Sequence, residues 1–303
     1  MSFNLQEYEL LIINSPIESG LFLEVLKECT DKKKKNKVIV SITTYGGIPN
    51  EAYQVGRYLQ NTYDDVVAYI PSQCKSAGTL LAAAASKIFF TPFGELGPLD
   101  VQVRKKDEIL GRRSGLNTVA AIENLKIHTF DMFEHFMWEI TALSRGAISF
   151  KTAAEISAKT ASDIMSNIYK QVDIESLGQD CRDLSVATQY CKRLAAFFGN
   201  IKEKGINKLV KGYPSHDFVI DPREASTIFE HSSMSPHELF TFSMQHGDKI
   251  IRPRDSKDTI IEIIHTESET ENAECENEKS QDDTNSSPAD SQGEHQSGDD
   301  QQG

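Results

Sequence analysis

The chain lacks several features that would assign it to specialised classes of protein. Among its 303 residues no apolar run approaches the roughly 18 residues of a membrane span, so we predict no membrane-spanning segment. The first ten residues contain no basic stretch followed by an apolar one, so no secretory signal is expected. The five cysteines form no Cys-x-x-Cys pair, and their irregular spacing argues against a zinc site or a disulfide framework. We therefore expect a cytoplasmic protein with reduced thiols, without a metal or a cofactor.

Negative charge is concentrated at the C-terminal end of the chain. The formal net charge is −13, and residues 266–303 hold twelve Asp or Glu residues against one Lys, which leaves −2 for residues 1–265. The same segment contains no Leu, Ile, Val, Met, Phe, Tyr or Trp, so it cannot bury enough apolar surface to offset the entropy lost on ordering. We predict a folded domain over residues 1–265 and a disordered acidic tail over residues 266–303. The nearly neutral domain gives no electrostatic reason to expect nucleic acid as a partner.

The first hundred residues alternate short apolar strands with helical patterns. Strands are predicted at residues 10–13, 38–42, 66–70 and 88–90, and the β-branched composition of the second is typical of a strand buried on both faces. Helices are predicted at residues 21–29, 49–61 and 77–85 from the spacing of their apolar or small residues. Strand and helix repeated in this way predict parallel βαβ units, so the fold class is α/β.

The middle of the chain changes to a helical pattern, which predicts an inserted helical region at about residues 115–187. Phe130, Phe133 and Met137 recur at helical spacing and predict a buried helix face. His128 and His135 share a face of the same helix, but without a third ligand nearby a metal site is the weaker interpretation. A last αβ element follows, with helices at residues 206–210 and 222–229 and a strand at residues 218–220.

The segment that carries chemistry lies between the strand at 66–70 and the helix at 77–85. Ser76 would stand at the carboxyl edge of the sheet, beside unpaired N–H groups of the helix N-terminus that suit a developing oxyanion. A serine that only caps the helix is the alternative interpretation. Gly46 and Gly47 follow the preceding strand and are predicted to present backbone N–H groups to the same spot.

These motifs, taken in order, resemble a known group of proteins. Thr-Tyr-Gly-Gly at 44–47 and Ser-Ala-Gly at 76–78 are followed by Leu-Gly-Pro-Leu-Asp at 96–100 and Gly-Tyr-Pro-Ser-His-Asp at 212–217. The set resembles the ClpP/crotonase superfamily, and within it the serine dehydrogenase proteinase family, relatives of the signal peptide peptidase SppA. The resemblance covers roughly residues 8–103 and 188–231 and implies a ClpP/crotonase-like βαβ spiral core.

The resemblance assigns roles to particular residues. Ser76 matches the position of the family's nucleophile. Gly46, Gly47 and Ala77 match the positions whose N–H groups form the oxyanion hole. His216 and Asp217 match the position at which ClpP-like enzymes carry the acid of their triad, so they complete the predicted catalytic set.

The general base departs from the family pattern. ClpP keeps its base a short distance after the nucleophile, around residues 99–100, where this chain has no histidine. We predict His216 as the base, oriented by Asp217 or Asp100, because a serine hydroxyl needs a base within hydrogen-bonding reach. SppA uses a lysine instead, and the alternative candidates for that role are Lys126, Lys151 and Lys159.

The predicted activity is that of a serine peptidase that acts through an acyl-enzyme on Ser76. The resemblance implies a homo-oligomer and a peptide or protein substrate, bound as an added strand along a sheet edge. A catalytically silent or partner-activated scaffold that has lost its base is the alternative from a different class. Crotonase-type acyl-CoA chemistry is a third interpretation, for which Glu95 is the acid close by.

Overall fold

The computed structural model describes residues 3–99, 102–104 and 112–266, all of which belong to one unit that ends at Thr266. Asp100 lies outside these residues, as does the predicted acidic tail apart from Thr266. The strands are β1 Tyr8–Asn14, β2 Lys37–Thr43, β3 Asp65–Ile70, β4 Gln73–Cys74, β5 Lys87–Phe90, β6 Glu95–Leu96, β7 Gln102–Arg104, β8 Arg112–Ser114, β9 Ser232–Met234 and β10 Ile260–His265. The helices are α1 Leu21–Lys32, α2 Pro49–Thr62, α3 Ala77–Ala82, α4 Gly115–Leu143, α5 Phe150–Tyr169, α6 Ile174–Phe198, α7 Gly205–Lys211, α8 Pro222–Ile228, α9 His237–Gln245 and α10 Gly247–Ile250.

A six-stranded sheet organises these elements, in the order β10-β1-β2-β3-β5-β9. All neighbouring pairs are parallel except β10, which runs antiparallel to β1. The predicted α/β class and its parallel βαβ units are therefore confirmed. The parallel strands place their carboxyl ends at one edge, which is where the turn that contains Ser76 lies.

Apolar cores cover both faces of this sheet because alternate residues of a strand point to opposite sides. In β1, Leu11 and Ile13 join the core beneath helices α1–α3 and α6–α8. Leu10 and Ile12 face the other side, where Leu239 of α9 helps to cover them. Burial on both faces explains why the strands read as continuous apolar runs, and each fully buried Leu or Ile contributes about 1.5–3 kcal/mol.

The helical region consists of α4, α5 and α6, as the sequence predicted, but its last helix belongs to the main core. Leu184, Ala187, Cys191 and Leu194 of α6 are buried against the sheet-covering helices. The insertion therefore merges with the core before its predicted end at residue 187. The predicted buried face of α4 is wrong: none of residues 121–143 is buried, and Phe130 is 75% exposed.

Two further differences concern short segments. The predicted strand at residues 218–220 does not form; only Ile220 makes an isolated antiparallel bridge, to Leu96. Elements α9, α10 and β10 were not anticipated, although they complete the second face and one edge of the sheet. Thr266 is buried and its hydroxyl donates to Tyr8 O, so the folded part includes this first residue of the predicted tail.

Candidate active site

Ser76 occupies a strained turn between β4 and α3. Its backbone has φ 51° and ψ −112°, and Gly78 N–H donates to Lys75 O at 2.8 Å, which closes a four-residue turn with Ser76 second. These angles are close to the ~+60°, −120° of a type II′ turn, a position that normally requires glycine. Ser76 is one of two non-glycine residues with positive φ among those described, and a conformation of this kind typically marks a functional position.

The two glycines after β2 lie against this turn. Thr44 N–H donates to Gln73 O at 2.8 Å and Lys75 N–H donates to Thr44 O at 2.9 Å, so the end of β2 is fixed to the segment that precedes Ser76. Gly46 has φ 99°, and a Cβ placed on it would lie 2.8 Å from Ser76 Cβ and 2.9 Å from Lys75 O. Only glycine allows both the backbone angle and the close approach.

The backbone N–H groups around Ser76 differ in what they bind. Gly46 N–H donates to Thr44 Oγ1 at 3.0 Å, so this donor is already used within the turn. Within the described part of the chain, Gly47 N–H and Ala77 N–H donate to no acceptor. Ala77 is the first residue of α3, where the N–H has no partner inside the helix. The predicted oxyanion-hole residues are thus brought together, with Gly47 and Ala77 as the available donors.

The other side of the turn is held by an ion pair. The side chain of Lys75 is buried and its Nζ lies 2.7 Å from Glu95 Oε1 in β6. The Thr79 hydroxyl lies 2.8 Å from Gly97 O and fixes α3 to the same segment. Glu95 therefore pairs with the lysine that precedes Ser76, and it does not line the cleft described next. The sequence did not predict that Lys75 pairs with Glu95; the only indication of it was an acidic residue in the Gly-Glu-Leu-Gly segment.

A cleft of about 540 Å³ opens beside Ser76. Its walls come from the loop after β1, the glycine turn after β2 and helix α6. The lining residues are 16–19, 45–50, Ser76, Asp183 and Val186. Sequence reasoning placed α6 in an insertion and so missed Asp183 and Val186. Their i, i+3 spacing on one helix face was the available signal, but nothing in the sequence directed that face to Ser76.

His216 and Asp217 lie in a turn after α7, in which Phe218 N–H donates to Ser215 O at 3.3 Å. The turn leads to Ile220, which bridges Leu96, and Leu96 in turn pairs with Cys74, two residues before Ser76. Neither His216 nor Asp217 is among the described residues that line the cleft. The fold thus brings this turn next to β6, which pairs with β4, the short strand that precedes Ser76.

The alternative lysines lie on α4 and α5 and are exposed. Lys126 is hydrogen-bonded to Glu123 at 2.9 Å, and this bond raises the pKa of the lysine. Lys151 lies 4.0 Å from Glu155 in an exposed pair. A lysine that acts as a base must lose its proton near neutral pH, which requires burial or a neighbouring cation. The surroundings of Lys126 act in the opposite direction.

Within the part of the chain that the structure describes, the site contains neither a group of metal-ligating side chains nor an accessible thiol. Among the described residues no group of three or more His, Cys, Asp or Glu side chains could hold a metal ion, and His128 and His135 are both exposed. Cys74 is fully buried, and burial raises the pKa of its thiol. A protonated, inaccessible thiol is a poor nucleophile, so Cys74 serves as a small apolar residue under the turn.

Comparisons with known proteins gave weak structural likenesses. No protein-family model and no curated protein sequence matches the chain. Two solved structures of the 1510-N membrane-bound stomatin-specific protease match. A serine-to-alanine variant has a TM-score of 0.33 at 14% identity, over 50% of this chain and 70% of that one. A lysine-to-alanine variant with a substrate peptide has a TM-score of 0.31 at 17% identity, over 49% of this chain and 64% of that one.

A methylmalonyl CoA decarboxylase complexed with 2S-carboxypropyl CoA also matches, with a TM-score of 0.28 at 9% identity, over 71% of this chain and 99% of that one. At these identities and TM-scores none of the three likenesses carries an argument about activity. The serine dehydrogenase proteinase family accordingly stays a resemblance drawn from sequence motifs. In the described part of the chain no helix is both long and apolar enough to cross a membrane.

Proposed function

We propose that the protein is a serine peptidase with Ser76 as its nucleophile. The observation that carries this proposal is the conformation of Ser76, a positive-φ serine in a glycine-type turn that borders a cleft. A helix-capping serine needs no such backbone, and its side chain would accept from an N–H of the first turn. No such capping bond is made by Ser76 within the described residues.

The proposed reaction uses the groups around the turn. Ser76 Oγ attacks the carbonyl carbon of a peptide bond and gives its proton to a base. Gly47 N–H and Ala77 N–H stabilise the oxyanion that forms, and Gly46 allows the backbone to approach Ser76 closely because it has no side chain. The base then protonates the leaving amine, and water hydrolyses the acyl-enzyme by the same steps.

We assign the base to His216, with Asp217 orienting it. A histidine can lose and regain its proton near neutral pH without burial, whereas the hydrogen bond from Lys126 to Glu123 favours the charged lysine. The connection from Ser76 through β4 and β6 to Ile220 supports an approach of the 215–218 turn to the nucleophile. An extended peptide in the cleft would lie between the turn that contains Gly46 and Gly47 and helix α6.

Labelling with a fluorophosphonate probe tests this assignment. We expect the intact protein to be labelled at one serine, Ser76→Ala to lose the label, and His216→Ala to react at least about 100-fold more slowly. His237→Ala is the matched control, because His237 is an exposed histidine at the start of α9. It should react at the rate of the intact protein.

The other outcomes discriminate between the candidates. Loss of the label in Ser76→Ala alone would transfer the base to a lysine, to be sought by substituting Lys126, Lys151 and Lys159 in turn. No labelling of the intact protein would reject the peptidase and favour the scaffold, because a fluorophosphonate needs only an activated serine and no specific substrate.

A further inference from the structure

The cleft beside Ser76 is acidic. Two of its lining residues are carboxylates, Glu18 from the loop after β1 and Asp183 from α6. No Lys, Arg or His lines it among the described residues. A concave site with charge of one sign attracts ligands of the opposite sign, because the surrounding protein limits the screening of the field.

Neighbouring side chains hold both carboxylates without neutralising them. Asp183 Oδ1 accepts a hydrogen bond from Gln179 Nε2 at 2.8 Å. Glu18 Oε2 accepts one from Ser256 Oγ at 2.9 Å. Both donors are uncharged, and neither carboxylate makes an ion pair within the described part of the chain. The two negative charges are therefore oriented and still available to a cation.

Apolar side chains stand beside these charges. Tyr45, Ile48 and Val186 line the same cleft and are 58%, 42% and 41% exposed. Val186 lies three residues after Asp183 on the same face of α6. Lysine and arginine side chains combine an apolar stem with a charged end, so they match a surface on which apolar groups adjoin a carboxylate.

We propose that Asp183 and Glu18 select peptides with a lysine or arginine near the bond that Ser76 cleaves. This inference rests on the proposed peptidase function and adds the substrate class. Asp183 is the principal specificity-determining residue, since it shares a helix face with an apolar lining residue. The helical region thus contributes the recognition of substrate, and the sheet edge contributes the nucleophile.

Direct binding tests this proposal independently of catalysis. The protein is the full-length Ser76→Ala variant, and the probes are two dansylated, C-terminally amidated hexapeptides of alternating leucine and lysine. In one of them every lysine is acetylated, which removes the charge and keeps the stem. Fluorescence anisotropy should show tighter binding of the charged peptide, by at least about tenfold at low salt, and a smaller difference in concentrated sodium chloride.

The carboxylates are then removed one at a time. Asp183→Asn and Glu18→Gln should each reduce the preference for the charged peptide by about two- to fivefold, the range for a partly exposed ion pair. Glu139→Gln, an exposed acid of α4 outside the cleft, is the matched control and should keep the preference.

Each outcome of the binding measurements either supports or contradicts the proposed preference for basic peptides. Equal binding of the two peptides, no binding of either, or a preference of unchanged size in both Asp183→Asn and Glu18→Gln would overturn the proposal. Fluorophosphonate labelling of the otherwise intact protein reports separately on the peptidase function. A labelled protein without a charge preference would support the peptidase function and reject the specificity. An unlabelled protein with the preference would reject the peptidase function and leave only a cleft that binds basic peptides.

Discussion

The backbone strain at Ser76 predicts an unusual order of stability for two variants. Ser76→Gly and Ser76→Ala both remove the hydroxyl and every interaction it makes. They differ only in the Cβ atom, which alanine keeps at a φ of 51° and glycine does not have. We expect the glycine variant to be the more stable of the two, in contrast to the usual effect of glycine in a folded chain.

The size of the difference follows from two opposing contributions. A non-glycine residue in a sparsely populated backbone region costs about 1–3 kcal/mol, which Ser76→Gly releases and Ser76→Ala does not. Glycine has more freedom in the unfolded chain, and this costs about 0.5–1 kcal/mol. The balance favours glycine by about 1 kcal/mol. For a folded unit of this size, that corresponds to a melting temperature higher by about 2–4 °C.

Thermal unfolding followed by circular dichroism measures this difference, with the same pair of substitutions at Ser166 as the control. Ser166 lies within α5, so glycine there should be less stable than alanine by about 1 kcal/mol. The reasoning is refuted if Ser76→Ala melts at the same temperature as Ser76→Gly or above it. In that case the turn would not be strained, and the backbone at Ser76 would give no reason to interpret this residue as a nucleophile and not as an ordinary helix cap.

Three further predictions concern the surroundings of the turn. Gly46→Ala should destabilise the protein by about 1–3 kcal/mol more than Gly146→Ala, as measured by urea unfolding of both variants, because Gly146 also has positive φ but a Cβ added there meets nothing within 4 Å. Glu95→Gln leaves a buried lysine without its anion and should lower the free energy of unfolding by about 1–3 kcal/mol, while Glu123→Gln, in an exposed pair, should cost clearly less. Iodoacetamide at pH 8 should modify Cys181 in the native protein and spare Cys29, Cys74 and Cys191, which are buried and whose pKa values burial raises, until urea unfolds the chain; mass spectrometry of the peptides would detect modification of these three before unfolding.

The sheet was predictable because its signal is local. Leu10 to Ile13 and Val38 to Ile42 are runs of apolar residues too short for buried helices, and glycine, proline or charged residues follow them. Backbone hydrogen bonding and burial on both faces leave such runs few alternatives to a parallel strand. The meeting of Gly46 with Ser76 was predictable for a similar reason, since consecutive parallel strands end at the same edge.

The lining of the cleft and the structure of the segment at 218–220 could not be predicted in this way, because they depend on contacts between distant parts of the chain. Asp183 reaches the cleft because Leu184 and Ala187 on the neighbouring face of α6 are buried in the core, and helical periodicity alone does not say what that face will meet. The segment at 218–220 is β-branched and aromatic, yet it forms a single bridge at Ile220, and Phe218 and Val219 are exposed and pair with no strand among the described residues. The β propensity of a segment is not enough to form a strand where packing and pairing do not support it.

The strain at Ser76 persists because several interactions fix the turn at once. Gly78 N–H donates to Lys75 O and closes the turn, and Lys75 forms an ion pair with Glu95 of β6. Backbone hydrogen bonds also join Thr44, at the end of β2, to the segment that precedes Ser76. Relaxing the backbone of the serine alone would require breaking more than one of these interactions, so the surrounding structure maintains the strained conformation. For the proposed function, the hydroxyl of Ser76, the N–H groups of Gly47 and Ala77 and the acidic cleft are therefore arranged before any substrate arrives, which is the condition under which such groups stabilise a transition state most effectively.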